Sequence, residues 1–306
     1  MALGNRPAPL SCFSEHDRWL QVGEVWRAGT RRLAAAGIEE ARLDAEVLLR
    51  AVLELPRASF FARLQEMLVP EHLNAYSALL DRRTQREPVA YILQKREFFG
   101  LDFRVDSRVL VPRPESETLV EVALEVAHAW REDGPTRPVL VDVGTGSGAI
   151  AITLAKHLPG AWIYATDRSA EALAVAAANL RLHDASDRVF LLQGDLLTPV
   201  PEPADLIIAN LPYVPSRRID SLQAEVSRWE PREALDGGSD GLTLIYRLLE
   251  QARGKLRCPG VILLEADPEQ MAAIAEFGRQ TLPGASIDLH RDLAGRERVA
   301  RLRWEV

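Results

Sequence analysis

Apolar side chains in the first ninety residues recur at the spacing of an α-helix. Four of them share one predicted helix face, at intervals of three, four and seven residues: Trp19, Val22, Trp26 and Leu33. Similar patterns, separated by prolines, predict further helices at 41–55, 59–68 and 71–86. This part of the chain is therefore predicted to be a small all-α domain, residues 1–90.

Residues 91–114 follow a different pattern, in which apolar and polar residues alternate. Apolar residues occupy alternate positions between 99 and 111, interrupted by the polar pair Asp106-Ser107. Period-two alternation around a polar turn predicts a β-hairpin. Pro112-Arg113-Pro114 then requires an extended backbone. We expect this segment to be a hairpin linker between two domains.

From residue 115 to the C-terminus, 115–306, short apolar runs alternate with helical patterns. Five buried strands are predicted: 139–143, 162–166, 189–193, 205–209 and 261–265. Such alternation is typical of an α/β fold, with helices on both faces of a parallel sheet. Two final strands, 286–289 and 299–303, are joined by a short loop, so the last strand is expected to be antiparallel.

Composition and charge narrow the classes of function. Of the 306 residues, 47% are hydrophobic and 26% are charged, and the net charge is −7. A negative net charge is not typical of a protein that binds nucleic acid directly. No apolar run approaches the roughly 20 residues that cross a bilayer, and Cys12 and Cys258 stand far apart. We therefore expect a cytoplasmic protein without a membrane segment, a disulfide framework or a metal site.

A glycine-rich loop joins the first predicted strand of the α/β domain to a helix. Its sequence is Gly144-Thr145-Gly146-Ser147-Gly148. Glycine at alternate positions lets the backbone turn sharply and lets a ligand approach without a clash with a Cβ atom. The loop is therefore a candidate binding site for a nucleoside or a phosphate.

Asp167 ends the next predicted strand, 23 residues after Gly144. A carboxylate at this point can accept hydrogen bonds from both hydroxyls of a ribose, a contact of about 1.5–3 kcal/mol. NAD enzymes share this geometry, so loop and acid alone do not identify the cofactor. S-adenosylmethionine is favoured because the loop lies in mid-chain after a separate domain, and because the sheet ends in an antiparallel strand.

The tetrapeptide Asn210-Leu211-Pro212-Tyr213 follows the fourth predicted strand, at the edge where open α/β sheets bind ligands. The Asn210 side-chain oxygen and the Leu211 carbonyl can each accept a hydrogen bond from a planar –NH2 group, which orients the nitrogen lone pair for methyl transfer. Pro212 fixes the bend, and Tyr213 offers a flat face to the planar group. The tetrapeptide is predicted to bind the substrate, with Asn210, Pro212 and Tyr213 as the catalytic residues.

These residues resemble the class I S-adenosylmethionine-dependent methyltransferases. The wider pattern resembles the protein-(glutamine-N5) methyltransferase family, in particular its enzymes that act on peptide chain release factors. Seven segments carry that resemblance: Glu87–Ile92, Phe98–Val105, Val109–Glu117, Asp142–Gly148, Glu230–Leu235, Gly237–Gly241 and Arg291–Val299. The match is dense from about residue 87 to the C-terminus and absent before about Ser14.

The resemblance implies a Rossmann-like catalytic domain with a seven-stranded sheet and an antiparallel last strand, acting as a monomer. It implies that the helical domain recognises a release factor, and that the methyl acceptor is the glutamine of that protein's Gly-Gly-Gln motif. The loop 144–148 and Asp167 would then bind the cofactor together with Asn210. Asp195 and Leu196 would lie along the adenine, and the tetrapeptide would hold the glutamine amide.

The same residues are compatible with other functions. The tetrapeptide also occurs in ribosomal RNA adenine dimethyltransferases, although the net charge of −7 and the position of the helical domain before the catalytic one disfavour RNA. A glutamine of a large-subunit ribosomal protein is a second alternative, against which the Pro112-Arg-Pro-Glu115 linker argues. A non-catalytic adaptor is disfavoured because Asp167 and Asn210 are intact. Leu211 stands where the family usually has proline. Because the predicted contact is made by the main-chain carbonyl of residue 211, a leucine side chain should be tolerated there.

Overall fold

The computed structural model describes residues 20–130 and 135–305. The chain divides into two compact units between Gln94 and Lys95. Trp19, predicted to lie on the first helix, and Cys12 are outside the described residues. None of the helices described here combines the length and the apolar character that crossing a lipid bilayer requires.

The described residues of the first unit form five helices around one apolar core. The helices are α1 (Val22–Ala35), α2 (Ala41–Leu53), α3 (Arg57–Ala62), α4 (Pro70–Thr84) and α5 (Val89–Leu93). Val22, Trp26 and Leu33 of α1 are all buried, as their shared helix face predicts. The predicted helical bundle is therefore present, and α5, which begins after Pro88, is an addition to it.

Gly29 allows α1 to approach α4 closely, because the buried Tyr76 ring lies against it. The Tyr76 hydroxyl donates a hydrogen bond to the Ala45 carbonyl of α2, at 3.0 Å. A Cβ atom at position 29 would lie only 2.0 Å from the Tyr76 hydroxyl oxygen. Tyr76 is fully buried, and its hydroxyl hydrogen bond to α2 holds the ring in place.

We therefore expect Gly29→Ala to lower the free energy of unfolding by about 1–3 kcal/mol, the usual cost of overpacking a core. Urea unfolding followed by circular dichroism measures the change. Gly160→Ala is the matched control, because a Cβ there meets no atom within 4 Å. Equal stability of Gly29→Ala and the wild type would contradict the close packing of α1 on α4.

The second unit begins with a short hairpin. β1 (Arg96–Phe98) pairs with β2 (Leu101–Phe103) in antiparallel register. The chain reverses at Phe99-Gly100, where φ is +52° and +72°. Two residues with positive φ form the two-residue turn whose twist matches that of paired strands.

The prediction of a hairpin turn at Asp106-Ser107 was wrong. Asp106 belongs to a separate turn, in which its Oδ1 accepts a hydrogen bond from the Arg108 amide at 3.0 Å. Val105 and Val109 are buried although neither belongs to a strand. The period-two pattern after residue 103 therefore reflects alternate burial of an extended chain and not strand pairing.

A seven-stranded sheet forms the centre of the second unit. Its strands are β3 (Val139–Val143), β4 (Trp162–Asp167), β5 (Val189–Gln193), β6 (Ala204–Ala209), β7 (Leu256–Glu265), β8 (Ser286–Arg291) and β9 (Glu297–Trp304). The helices of the unit are α6 (Glu117–Ala129), α7 (Ala149–His157), α8 (Ala170–Leu182), α9 (Ala224–Trp229), α10 (Thr243–Ala252) and α11 (Met271–Thr281). The strand order is β5-β4-β3-β6-β7-β9-β8.

The direction of the strands confirms the predicted fold class. β3 to β7 are parallel, and β9 lies antiparallel between β7 and β8. Every residue of β3 and of β6 is buried, which explains their nearly unbroken apolar runs. This is the sheet of the class I S-adenosylmethionine-dependent methyltransferases, preceded by a helical unit.

The sheet topology places the sequence motifs side by side. The chain proceeds from β3 outward to β4 and β5, then returns to β6 on the other side of β3. Val143 pairs with Thr166 on β4 and with Ala209 on β6, so these three strands end at one edge. An open α/β sheet binds ligands at such a switch point. The glycine loop, Asp167 and Asn210 all lie there.

Candidate active site

A cavity, partly open to solvent, lies over the carboxyl ends of β3, β4 and β6. It is lined by eight of the residues predicted from the sequence: Gly144, Gly146, Asp167, Asp195, Leu196, Asn210, Leu211 and Pro212. A concave site with both apolar and polar lining groups at this edge of the sheet is typical of a small-molecule binding site. The structure therefore brings together residues that span more than sixty positions of the chain.

The glycine loop turns tightly above β3. Gly144, Gly146 and Gly148 have φ values of +75°, +55° and +81°, a region that side chains strongly disfavour. A Cβ atom at Gly146 would meet no protein atom within 4 Å, so the loop leaves open space on the cavity side. A cofactor with a nucleoside moiety fits this bare backbone.

Thr145, Ser147 and Gly148 support the loop from below and do not line the cavity. The Thr145 hydroxyl donates to the buried Asp142 carboxylate at 2.7 Å. The Ser147 carbonyl accepts a hydrogen bond from the Asn179 amide at 2.8 Å. Burial raises the pKa of Asp142 to about 6, and the hydrogen bond from Thr145 opposes that shift. These residues give the loop its shape.

Asp167 stands at the mouth of the cavity with its carboxylate held by the main chain. Oδ2 accepts a hydrogen bond from the Gly146 amide and Oδ1 accepts one from the Ser169 amide, each at 2.9 Å. A carboxylate oxygen has two acceptor positions, so one remains on each oxygen. The geometry leaves Asp167 able to bind a pair of vicinal hydroxyls.

Asp195 and Leu196 form the wall beyond β5. Leu196 is buried and has a positive φ of +50°, which is unusual for a residue with a branched side chain. The Asp195 carboxylate accepts a hydrogen bond from Arg247 on α10 at 2.6 Å. The wall is thus apolar at Leu196 and is tied to α10 through Asp195.

The tetrapeptide 210–213 lies between this cavity and a second one. Asn210, Leu211 and Pro212 line both cavities, and Tyr213 lines the second. Burial raises the pKa of Tyr213 to about 12, so its ring stays neutral. The tetrapeptide therefore forms the boundary that the two cavities share.

Close contacts with glycines hold the main chain of the tetrapeptide. A Cβ atom at Gly237 would lie 2.6 Å from the Pro212 carbonyl oxygen, and one at Gly241 would lie 2.1 Å from that of Tyr213. The Gln270 side chain donates to the same Tyr213 carbonyl at 2.9 Å. The segment 237–241, to which the sequence assigned no role, therefore fixes the course of the main chain at Pro212 and Tyr213.

Two polar residues that were not among the predicted site residues lie behind Asn210. The Asn210 Nδ2 donates to the Ser116 Oγ at 2.8 Å, and both side chains hydrogen-bond the carboxyl group of Glu265. Glu265 ends β7, so an acid at the end of an apolar strand is the signal that could have identified it. Burial is the main reason that its pKa rises, to about 7.

Arg113 joins the linker to the segment after α9. Its Nη2 donates to both oxygens of Glu230, at 2.6 and 2.7 Å. Burial raises the pKa of Glu230, and the charge of Arg113 opposes that shift. The linker residues Val109 and Leu110 line the first cavity, as do Pro231 and Ala234, so this ion pair ties together two chain segments that line it. In the described part of the chain, no three His, Cys, Asp or Glu side chains are grouped as metal ligands.

Two family models match the chain. Residues 24–93 match a model described as the PrmC N-terminal domain, and residues 127–226 match the methyltransferase small domain. The first lies within the helical unit. The second includes the glycine loop, Asp167 and the tetrapeptide.

Curated relatives match over most of the chain. A release factor glutamine methyltransferase of Moorella thermoacetica is 43% identical over 88% of this chain and 93% of its own length. A protein of the same name from Bradyrhizobium diazoefficiens is 39% identical over 89% of this chain and 91% of its own length.

Solved structures share the fold at low sequence identity. A methyltransferase from Pyrococcus furiosus is 19% identical, with a TM-score of 0.50 over 74% of this chain and 99% of that chain. The hMettl16 catalytic domain, solved in complex with the MAT2A 3′UTR hairpin 6, is 17% identical, with a TM-score of 0.54 over 74% of this chain and 81% of that one.

Proposed function

This chain belongs to the release factor glutamine methyltransferase family, and from that premise we propose that it methylates the Gly-Gly-Gln glutamine of release factors. The methyl group of S-adenosylmethionine is transferred to the side-chain amide nitrogen of that glutamine. The observation that carries the proposal is the pair of neighbouring cavities, with Asp167 lining one and Asn210 lining both.

We assign the first cavity to the cofactor. S-adenosylmethionine supplies a methyl group on a positively charged sulfur, which is already activated for transfer. Asp167 binds the two ribose hydroxyls through the free acceptor positions of its carboxylate. The bare backbone at Gly146 admits the cofactor, and Leu196 covers one face of the adenine. Because the methyl group is already activated, the protein needs to supply only neutral hydrogen-bond acceptors for the nitrogen that receives it.

We assign the second cavity to the glutamine-bearing segment of the release factor. Asn210 Oδ1 and the Leu211 carbonyl each accept a hydrogen bond from one of the two N–H groups of the glutamine amide. These two bonds direct the nitrogen lone pair towards the methyl carbon. A new N–C bond forms as the S–C bond breaks, and positive charge develops on nitrogen beside these acceptors. The extra proton then leaves the nitrogen to solvent. Tyr213 lies flat and neutral beside the amide.

The helical unit is the proposed site of release factor recognition. It matches the PrmC N-terminal domain over residues 24–93, and none of its described residues, 20–94, lines either cavity. The negative net charge of −7 favours a protein substrate over RNA. Since release factors act on ribosomes, we place the reaction in the cytoplasm.

We expect a release factor incubated with this protein and S-adenosylmethionine to gain the mass of one methylene group on the peptide that contains its Gly-Gly-Gln motif. Peptide mass spectrometry locates the change. A release factor with that glutamine replaced by asparagine is the control and should gain nothing. Methyl groups found only on a large-subunit ribosomal protein, or only on ribosomal RNA, would contradict the proposal and select one of those substrates.

A further inference from the structure

A buried polar cluster lies behind the tetrapeptide and consists of Ser116, Asn210 and Glu265. Asn210 follows β6 and Glu265 ends β7, next to each other in the sheet. Ser116 belongs to the 3-10 turn that precedes α6. Ser116 is 3% exposed and Glu265 is 1% exposed, so solvent does not compete for their hydrogen bonds. Neither residue lines the cavities.

The side-chain amide of asparagine has two different ends, and only one suits an acceptor –NH2 group. Oδ1 accepts hydrogen bonds, whereas Nδ2 donates them. A rotation of 180° about the last side-chain bond would exchange the two and turn a donor towards the substrate nitrogen. Something must therefore fix this rotation if Asn210 is to receive the glutamine amide.

The cluster contains the group that fixes it. An ionised carboxylate can only accept hydrogen bonds, so it faces the Nδ2 end of Asn210 and not Oδ1. The Asn210 Nδ2 donates to Ser116 Oγ at 2.8 Å, and the Ser116 hydroxyl hydrogen is thereby free to donate to Glu265. Glu265 Oε2 has no hydrogen-bond partner among the described residues, so the cluster contains spare acceptor capacity and no competing donor there.

We propose that Ser116 and Glu265 are positioning residues, which hold the Asn210 side-chain amide with Oδ1 towards the methyl-accepting nitrogen. This proposal rests on the proposed function, since it assumes an acceptor with two N–H bonds. It requires Glu265 to be ionised. A protonated Glu265 gains a hydrogen-bond donor that can pair with Oδ1 and so stabilise the rotated amide.

Protonation of Glu265 occurs in an accessible pH range. Burial raises its pKa to about 7, and the hydrogen bond from Ser116 and the positive charge of Arg298 limit that rise. The charged and titratable groups around it come from several elements: Glu115 before α6, Tyr213 after β6 and Arg298 on β9. The ionised form of Glu265 is the one that holds the Asn210 amide in the required orientation. We therefore expect kcat to increase as the pH rises through about 7. Asp142, which supports the glycine loop, also has a raised pKa, of about 6. To keep changes in cofactor binding out of the profile, kcat is measured at saturating cofactor.

Glu265→Gln tests this directly, because glutamine keeps the volume but always carries a donor. We expect kcat to fall about tenfold or more, part of the loss seen when a preorganised transition-state hydrogen bond is removed. The dissociation constant of S-adenosylhomocysteine, measured by calorimetry, should not change. The rise of kcat with pH should disappear. Ser116→Ala should lower kcat by a smaller factor, and it decides the question if Glu265→Gln does not fold.

Asp205→Asn is the matched control. Asp205 is a buried carboxylate on β6 at the opposite end of the strand from Asn210, where it accepts a hydrogen bond from the Val139 amide at 2.7 Å. Its replacement should reduce stability but leave kcat and its pH profile as in the wild type. An equal loss of kcat in Asp205→Asn and Glu265→Gln would mean a general structural effect, and the proposal would be wrong.

A spectroscopic measurement separates this proposal from the proposed function. The chain has only four asparagines, at positions 5, 74, 179 and 210, so selective ¹⁵N labelling gives four side-chain signals. The signal missing in Asn210→Ala belongs to Asn210. In the wild type it should shift with a midpoint near pH 7, and in Glu265→Gln it should be independent of pH. A pH-independent wild-type signal overturns the proposal even if release factors are methylated, and a failure to methylate them leaves this result standing.

Discussion

Asn210→Ala should lower kcat by about a hundredfold or more, which is the usual effect of removing one preorganised hydrogen-bonding group from a transition state. In the proposed reaction, the Asn210 Oδ1 accepts a hydrogen bond from an N–H group whose hydrogen becomes more positive as the methyl group is transferred. The interaction is therefore stronger in the transition state than in the ground state. The affinity for the cofactor should change little, because we assign that binding to Asp167 and the glycine loop.

The measurement is steady-state methylation of a full-length release factor at saturating cofactor, together with calorimetry of cofactor binding. Asn74→Ala is the matched control: Asn74 is an exposed asparagine on α4 and should retain the wild-type kcat. A near-normal kcat for Asn210→Ala would show that Asn210 does not face the methyl acceptor. A large loss of cofactor affinity would instead place it mainly in the cofactor site.

Asp167→Ala should weaken cofactor binding by roughly ten- to a hundredfold, which corresponds to the loss of about 1.5–3 kcal/mol for hydrogen bonds to a charged group. The ribose contact is present equally before and during methyl transfer, so its loss should raise the cofactor KM and leave kcat almost unchanged. The Gly146 amide also loses its acceptor, at 2.9 Å in the wild type. Some of the loss therefore comes from a less ordered glycine loop.

Calorimetric titration with S-adenosylhomocysteine and the dependence of rate on cofactor concentration together measure this effect. Asp187→Ala is the control, since the Asp187 side chain is 73% exposed and lies in the loop before β5. It should bind the cofactor as the wild type does. The assignment of Asp167 to the ribose is wrong if Asp167→Ala abolishes methyl transfer even at saturating cofactor.

The location of the candidate site could be predicted from the sequence because parallel strands end at one edge. The apolar runs of β3, β4 and β6 identify buried strands, and the residue types that follow each run identify the chemistry. The glycine loop, Asp167 and Asn210 each stand directly after such a run. Once the sheet is known to be parallel, these groups must lie close together.

The local pattern of apolar and polar residues did not predict strand pairing correctly where a residue can be buried without belonging to a strand. The alternation from 99 to 111 suggested one long hairpin, whereas only residues 96–103 pair as strands. Alternation of apolar and polar residues indicates that every second side chain is buried. An extended chain without a strand partner shows the same alternation. The turn at Phe99-Gly100 depends on positive φ values at a phenylalanine, a conformation that the residue type does not favour.

By itself, the sequence determined the two-unit organisation of helices and sheet, the order of the strands along the chain, and the residues at the strand ends, because each of these follows from local periodicity. Only the tertiary structure decided that β9 lies between β7 and β8, that Arg113 pairs with Glu230 at a separation of 117 residues, and that Ser116 contacts Asn210 across 94 residues. These contacts depend on which strands become neighbours. Strand neighbours are selected by packing of the whole sheet, and the pattern within any one segment records burial but not the partner.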